Sequence, residues 1–117
     1  MMILVLFVLA SAVGAVLRYL ADRYLPRRGI LLVNLIGSGL AGVAAGLALE
    51  QVIDARLVLI LLGGLAGSLT TYSTVALTAA QQSLEKPGRA VITWLQHVGL
   101  SILACSLGLI AAVSLMS

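Results

Sequence analysis

The side chains that could do chemistry in this chain are concentrated in one stretch, SLTTYSTV at 68–75. Five hydroxyl residues surround Tyr72 there, within a run from 57 to 84 that carries no charge. Hydroxyl groups donate hydrogen bonds to anions, and they also satisfy backbone groups that a broken helix leaves free. The stretch is therefore a candidate site for binding or passing a small ion.

Three glycines precede the hydroxyl stretch, at Gly63, Gly64 and Gly67. Glycine weakens a helix, and in a regular helix the hydroxyl side chains would point in nearly every direction, including toward lipid. Irregular backbone at membrane depth is tolerated where it is buried in protein or lines a wet cavity. We predict a helix interrupted near 67–71, whose carbonyls could hold a cation and whose amides could hold an anion.

The other polar side chains in apolar surroundings are few. Asn34 lies near the start of the second apolar run, and His97, Ser101 and Cys105 follow at helical spacing in the fourth. Polar residues at membrane depth are costly, so each is a candidate site, with helix packing as the alternative for His97 and Cys105. His97 and Ser101 could touch, but no third group in the membrane orients them, which argues against an enzyme.

Acidic residues are absent from all four uncharged runs, and the first in the chain is Asp22. A proton-coupled exporter of cationic drugs needs a membrane carboxylate that trades protons for substrate. A small dimeric multidrug-type secondary transporter is therefore the weaker alternative. Hydrogen-bond donors without fixed carboxylates favour a small anion over a cation.

Composition places these residues in a membrane protein. Of 117 residues, 62% are hydrophobic and 9% charged, whereas a soluble domain carries about 25% charged residues. A spanning helix needs about 20 apolar residues. We predict an all-α membrane protein, one domain over 1–117, with transmembrane helices at about 2–21, 30–49, 57–83 and 89–115. No basic residue precedes Arg18, which disfavours a signal peptide.

Basic residues are unevenly distributed between the loops. The first and third loops and their helix ends carry six of them, namely Arg18, Arg23, Arg27, Arg28, Lys86 and Arg89. The second loop carries Arg56 alone. The positive-inside rule predicts that the 1–2 and 3–4 loops are cytoplasmic and that both termini lie outside the cell membrane.

Three sequence blocks carry a family resemblance. They are GAVLRYL at 14–20, LLVNLIGSGLAG at 31–42 and GGLAGSLTTYSTV at 63–75. In order and spacing, on four helices, the chain resembles the Fluc (CrcB) family of fluoride channels. The resemblance implies a passive channel exporting fluoride, built as an antiparallel dimer around a structural sodium ion.

The resemblance also implies roles for individual residues. Carbonyl groups at the helix 3 break hold the sodium in the family, and they map to Gly67 and Thr70. Asn34 matches the family's pore asparagine, and Arg18 matches its helix 1 arginine near the aqueous vestibule. Hydroxyls along the polar track map to a further set, namely Ser73, Ser101 and Thr71.

This chain departs from the family pattern along the expected anion pathway. The family usually has TTFSTF where this chain has Tyr72 and Val75. Tyr72 keeps an aromatic ring edge, which is partially positive and can face an anion, whereas Val75 has none. The family often has an aromatic where His97 aligns and a serine where Cys105 aligns. A non-conducting partner subunit of a heterodimeric channel is therefore an alternative function.

The charge bias bears on the partner. An antiparallel homodimer needs a chain that inserts both ways, and a bias of six basic residues against one favours a single orientation. We therefore predict pairing with an oppositely oriented homologue, with a second copy of the chain as the alternative.

Overall fold

The computed structural model describes residues 1–117 as helices joined by short turns. Helix α1 spans Met2–Tyr24, α2 spans Gly29–Leu49, and the last helix, α5, spans Pro87–Met116. Between α2 and α5, the segment Ala55–Glu85 forms a third span in two parts. All four segments are long and apolar enough to cross a membrane. The predicted architecture of four transmembrane helices is confirmed.

The third span is broken, as the glycines and hydroxyls predict. Its first part, α3, is α-helical at Ala55–Val58, becomes a π-helix at Leu59–Ala66, and ends with an α-helical turn at Gly67–Leu69. Thr70 then adopts an extended conformation, with φ −80° and ψ 153°. The second part, α4, spans Ser73–Glu85. The break is therefore the three residues between α3 and α4.

The π-helical segment was not predicted from the sequence. Apolar periodicity does not separate a π-helix from an α-helix over so short a stretch, because the two differ by less than one residue per turn. The glycines within it allow α3 to approach α1 closely. A Cβ on Gly64 would lie 3.2 Å from the Phe7 carbonyl oxygen, and one on Gly63 would lie 3.1 Å from the Phe7 ring. A larger residue at either position would require the Phe7 segment to move by a few tenths of an ångström.

Small residues also join α2 to α5. A Cβ on Gly46 would lie 2.6 Å from the Ala112 side chain, and Gly42 lies directly against the Cys105 carbonyl. Close backbone approach through glycine is the usual way in which membrane helices associate. This contact fixes the register between α2 and α5, and with it the distance between their polar residues.

The bundle has little interior. Only 13 of the 117 residues are buried, and most large apolar side chains are exposed, as expected for a surface facing lipid. Asn34 is the single polar side chain among the buried ones. Because a buried polar group is costly without partners, Asn34 is the natural starting point for the site.

Candidate functional site

Asn34 of α2 joins the broken third span. Its side-chain Nδ2 donates to the Thr71 carbonyl at 3.0 Å, and the Thr71 N–H donates to its Oδ1 at 2.7 Å. The side-chain amide thus takes the place of a peptide group and satisfies both backbone groups of Thr71. Without it, both groups would be unpaired at membrane depth, at a cost of about 1–3 kcal/mol each.

Asn34 also contacts α5. Its Nδ2 lies 3.3 Å from Nδ1 of His97. The Nδ2 group has two hydrogens, so it can donate to the Thr71 carbonyl and to His97 together. In this arrangement both Asn34 hydrogens are engaged by protein groups, and the side chain links the break to α2 and α5.

The hydroxyl stretch divides into two groups. Ser68 and Thr70 bond back to their own helix, Ser68 to the Gly64 carbonyl at 2.6 Å and Thr70 to the Ala66 carbonyl at 3.0 Å. Both carbonyls also accept a backbone N–H, Gly64 from Gly67 and Ala66 from Thr70. The two hydroxyls therefore add second bonds to helical carbonyls and are engaged within their own helix.

The second hydroxyl group lies at the start of α4. Thr71 Oγ1 is 3.2 Å from both Ser73 Oγ and Thr74 Oγ1. It also accepts a longer contact, 3.4 Å, from the Thr74 N–H. The three hydroxyls therefore satisfy one another and the first turn of α4, whose N–H groups have no helical partner.

A cavity of about 240 Å³ opens beside the break. Six residues predicted for the anion pathway line it, namely Asn34, Thr71, Tyr72, Val75, Ser101 and His97. Its other lining residues are Ser38, Thr70, Val98 and Ile102. The lining holds hydroxyl, amide and imidazole groups and no acidic side chain. We call this space the break cavity.

Two residues predicted for the pathway lie outside the break cavity. Arg18 reaches the other side of the break, where its Nη1 donates to the Thr70 carbonyl at 3.2 Å. Ser73 is exposed and contacts Thr71. In contrast, Ser38 lines the break cavity although it was not predicted. It stands one helical turn after Asn34, and that polar spacing on α2 is the signal that could have found it.

A second cavity, of about 110 Å³, lies between the break and the α1–α2 loop. Its lining includes Asp22, Arg27, Thr74 and Thr78, so it is more polar than the break cavity and reaches charged groups. We call it the loop cavity. Val75 and His97 line both cavities and therefore stand between them. Val75 is only 2% exposed, which makes it a close-packed part of this partition.

Tyr72 has a partner that was not predicted. The indole Nε1 of Trp94 donates to the Tyr72 hydroxyl oxygen at 3.1 Å. The bond joins the break to α5 and restricts the Tyr72 ring, which is 62% exposed in the single chain. The Tyr72 O–H hydrogen is left free to donate. The sequence signal for this contact was weak, since it consists of a single tryptophan 22 residues away.

The carbonyls proposed for a cation differ in their surroundings. In a continuous helix the Thr71 N–H would bond the Gly67 carbonyl, but here it bonds Asn34 instead, and the last helical bond before the break runs from Thr70 to Ala66. Gly67 is exposed and its carbonyl has been released. The Thr70 carbonyl accepts from Arg18 and keeps one lone pair. Both oxygens are suitable ligands for a hard cation.

Four membrane-spanning helices and a polar, acid-free cavity at a helix break define a small multi-pass membrane protein of the ion-channel type. The chain belongs to the family described as CrcB-like protein, Camphor Resistance (CrcB), whose model matches residues 5–109. The resemblance drawn from the three sequence blocks is thereby confirmed. This is a family of ion channels and not of enzymes.

Two relatives show the extent of the similarity. The chain is 38% identical over 112 residues to the fluoride-specific ion channel FluC 2 of Mycobacterium bovis, covering 89% of this chain and 80% of the relative. It is 42% identical over 77 residues to the fluoride-specific ion channel FluC 1 of Streptomyces avermitilis, covering 59% of this chain and 62% of the relative.

Proposed function

We propose that this protein is a passive, fluoride-selective channel that exports fluoride across the cell membrane. The observation that carries the proposal is the break cavity, which offers hydrogen-bond donors and no carboxylate in a chain whose relatives are named fluoride-specific channels. An acidic lining would repel an anion, and a purely apolar one could not replace its water.

The donors available to an anion can be identified. Fluoride is small and strongly hydrated, so it enters only where protein donors replace its water at close range. The Ser38 and Ser101 hydroxyls line the break cavity, and neither takes part in the side-chain hydrogen bonds described above. The Tyr72 O–H supplies a third free donor. We therefore assign the direct anion contacts to these hydroxyls, with Asn34 holding the break behind them.

The test is fluoride efflux from liposomes containing the assembled protein, with chloride efflux as the selectivity control. Replacing Ser38 and Ser101 together by alanine should slow fluoride efflux by about tenfold or more, given about 1.5–3 kcal/mol for a hydrogen bond to a charged group. Ser106→Ala is the matched control, since that exposed hydroxyl bonds back to the Ile102 carbonyl at 2.9 Å. Equal losses in the double variant and the control would contradict the assignment.

We further propose that the channel is an antiparallel dimer and that the second subunit is an oppositely oriented homologue. The support is the bias of six basic residues against one, which also favours a cytoplasmic location for the 1–2 and 3–4 loops. The chain expressed without any homologue should then fail to conduct. A fluoride-conducting dimer made of this chain alone would overturn the heterodimer and leave the homodimer.

We also propose that a structural sodium ion is held at the break. When bound, sodium would supply a positive charge that draws together carbonyl dipoles from the two broken helices. In this chain the carbonyls of Gly67 and Thr70 would hold it, and Arg18 already satisfies part of the Thr70 oxygen. The dimer should be more heat-stable in sodium than in N-methylglucamine buffer at equal ionic strength. Equal melting in both buffers would count against the site.

A non-conducting subunit is the second candidate function, and Val75 favours it. This side chain separates the two cavities, is 2% exposed and offers no ring edge to an anion. The assembled dimer would then conduct only through the partner's side of the interface. If removal of the Ser38 and Ser101 hydroxyls leaves efflux unchanged, that result would support a non-conducting role for this chain.

A further inference from the structure

We propose that His97 is a positioning residue for fluoride conduction, which holds Asn34 through a neutral imidazole protonated on Nε2. The inference rests on the proposed channel function, but its geometric basis is independent of it. His97 stands at a position where the family resemblance predicts an aromatic residue.

The first step is the orientation of the Asn34 amide. The Thr71 N–H can only donate, so the Asn34 atom 2.7 Å from it must be the oxygen. The Thr71 carbonyl can only accept, so the atom 3.0 Å from it must be the nitrogen. Two contacts to one residue therefore fix which end of the amide faces His97.

The second step is the tautomer of His97. The atom 3.3 Å from His97 Nδ1 is the Asn34 nitrogen, which has hydrogens and no lone pair to offer. The Nδ1 atom must accept, so it carries no proton. The ring proton is then on Nε2, and the imidazole is neutral. A proton added at Nδ1 would set an N–H against an NH₂ group at this distance.

The third step is the place of His97 in the site. It lies between the break cavity and the loop cavity, so a movement of its ring changes their connection. The loop cavity brings Asp22 and Arg27 to the same space, from the end of α1 and its loop. The residues of α2 and α4 that line either cavity carry no charge. Asn34 is the only hydrogen-bond partner of the ring.

The position of the break hydroxyls therefore depends on His97 through a series of contacts. His97 accepts from Asn34, Asn34 holds Thr71, and Thr71 sets the start of α4 and the position of the break hydroxyls. When Nδ1 takes up a proton, Asn34 loses its third contact and His97 is pushed away. Fluoride flux should therefore fall in acid because of His97.

The variants that test this are His97→Asn and His97→Gln. Asn places its side-chain oxygen the same number of bonds from Cα as Nδ1, so it keeps an acceptor for Asn34 and does not titrate. Gln places its amide where Nε2 lies and removes the near acceptor. The two variants are equally polar and uncharged, so each is the control for the other.

We expect wild-type flux to fall by about fivefold or more as Nδ1 of His97 takes up a proton, in a titration followed from about pH 8 down to about pH 4.5. His97→Asn should keep flux within about twofold of wild type at high pH and lose the acid effect, and His97→Gln should be low throughout. Flux through protein-free vesicles is subtracted at each pH, because hydrogen fluoride crosses lipid. Acid sensitivity retained in His97→Asn, or equal flux in both variants, would overturn the proposal.

A second readout does not depend on conduction. His97 is the only histidine in the chain and Asn34 the only asparagine, so labelling with ¹⁵N-histidine and ¹⁵N-asparagine gives the NMR signals of one ring and one side-chain amide. The proposal requires the Nε2-protonated tautomer at high pH, with the Asn34 side-chain amide signal moving as the ring titrates. A ring protonated on Nδ1 at high pH would contradict it. If no form conducts, the channel function fails, and the NMR result decides the positioning role alone.

Discussion

Replacing Asn34 by aspartate separates the bridging role of this side chain from its size. The change swaps an NH₂ group for an oxygen and leaves the shape nearly unaltered. The Thr71 N–H keeps its acceptor, but the donated bonds to the Thr71 carbonyl and to His97 Nδ1, at 3.0 and 3.3 Å, are both lost. The Thr71 carbonyl then faces an oxygen and has no donor, whereas the His97 ring can move its proton to Nδ1 and donate to the carboxylate.

The magnitude follows from the Thr71 carbonyl, which is left without a donor. An acceptor left unpaired in a buried site costs about 1–3 kcal/mol. The lower figure corresponds to about a fivefold loss, at equilibrium, of the arrangement in which the break is held against α2. Asn34 is 6% exposed, so water reaches these groups only through the break cavity. An ionised carboxylate beside the break cavity would also repel fluoride.

The assay is fluoride efflux from liposomes together with thermal unfolding of the same protein in detergent. We expect Asn34→Asp to lose most of its efflux and to unfold at a lower temperature than wild type. Gln81→Glu is the matched control, because it makes the same amide-to-acid change at an exposed position on α4. A variant that conducts and unfolds like wild type would refute the bridging role of Asn34.

Three further substitutions test neighbouring parts of the site. Val75→Phe should raise fluoride efflux by restoring a ring edge between the two cavities, at a cost of about 1–3 kcal/mol of stability for overpacking a 2% exposed position; unchanged or lower efflux in a folded dimer counts against Val75 as the cause of a non-conducting subunit. Tyr72→Phe should shift the emission of Trp94, the only tryptophan, because its Nε1–H loses an acceptor at 3.1 Å; Tyr19→Phe, on α1, is the control, and equal spectra would exclude the contact. Arg18→Gln should slow efflux more at low than at high ionic strength, since salt screens its attraction for anions; a salt-independent loss would assign Arg18 to holding the Thr70 carbonyl alone.

The helices and the break could be predicted because their causes are local. Uncharged runs of about 20 residues specify spanning helices. Glycine weakens the helix at Gly67, and the hydroxyls of Ser68 and Thr70 bond back to it where it ends. This local combination predicts a helix that ends inside the membrane. These are properties of neighbouring residues, and a single sequence contains them.

The connections across the site could not be predicted because they depend on register between distant helices. Asn34 and His97 are 63 residues apart, and their contact requires α2 and α5 to pack through glycines such as Gly42 at one particular offset. The sequence identified both as polar residues in apolar runs. It did not indicate that the Asn34 NH₂ group donates to protein acceptors, or that Trp94 donates to Tyr72.

The most direct test of the central claim is anion efflux from liposomes containing the assembled protein as it is purified from membranes, so that its second subunit is present whichever chain that is. A fluoride electrode and a chloride electrode follow matched samples beside empty vesicles. We expect rapid fluoride efflux with chloride retained. Fluoride efflux no faster than from empty vesicles, or chloride efflux at the same rate as fluoride, from folded and dimeric protein would contradict it.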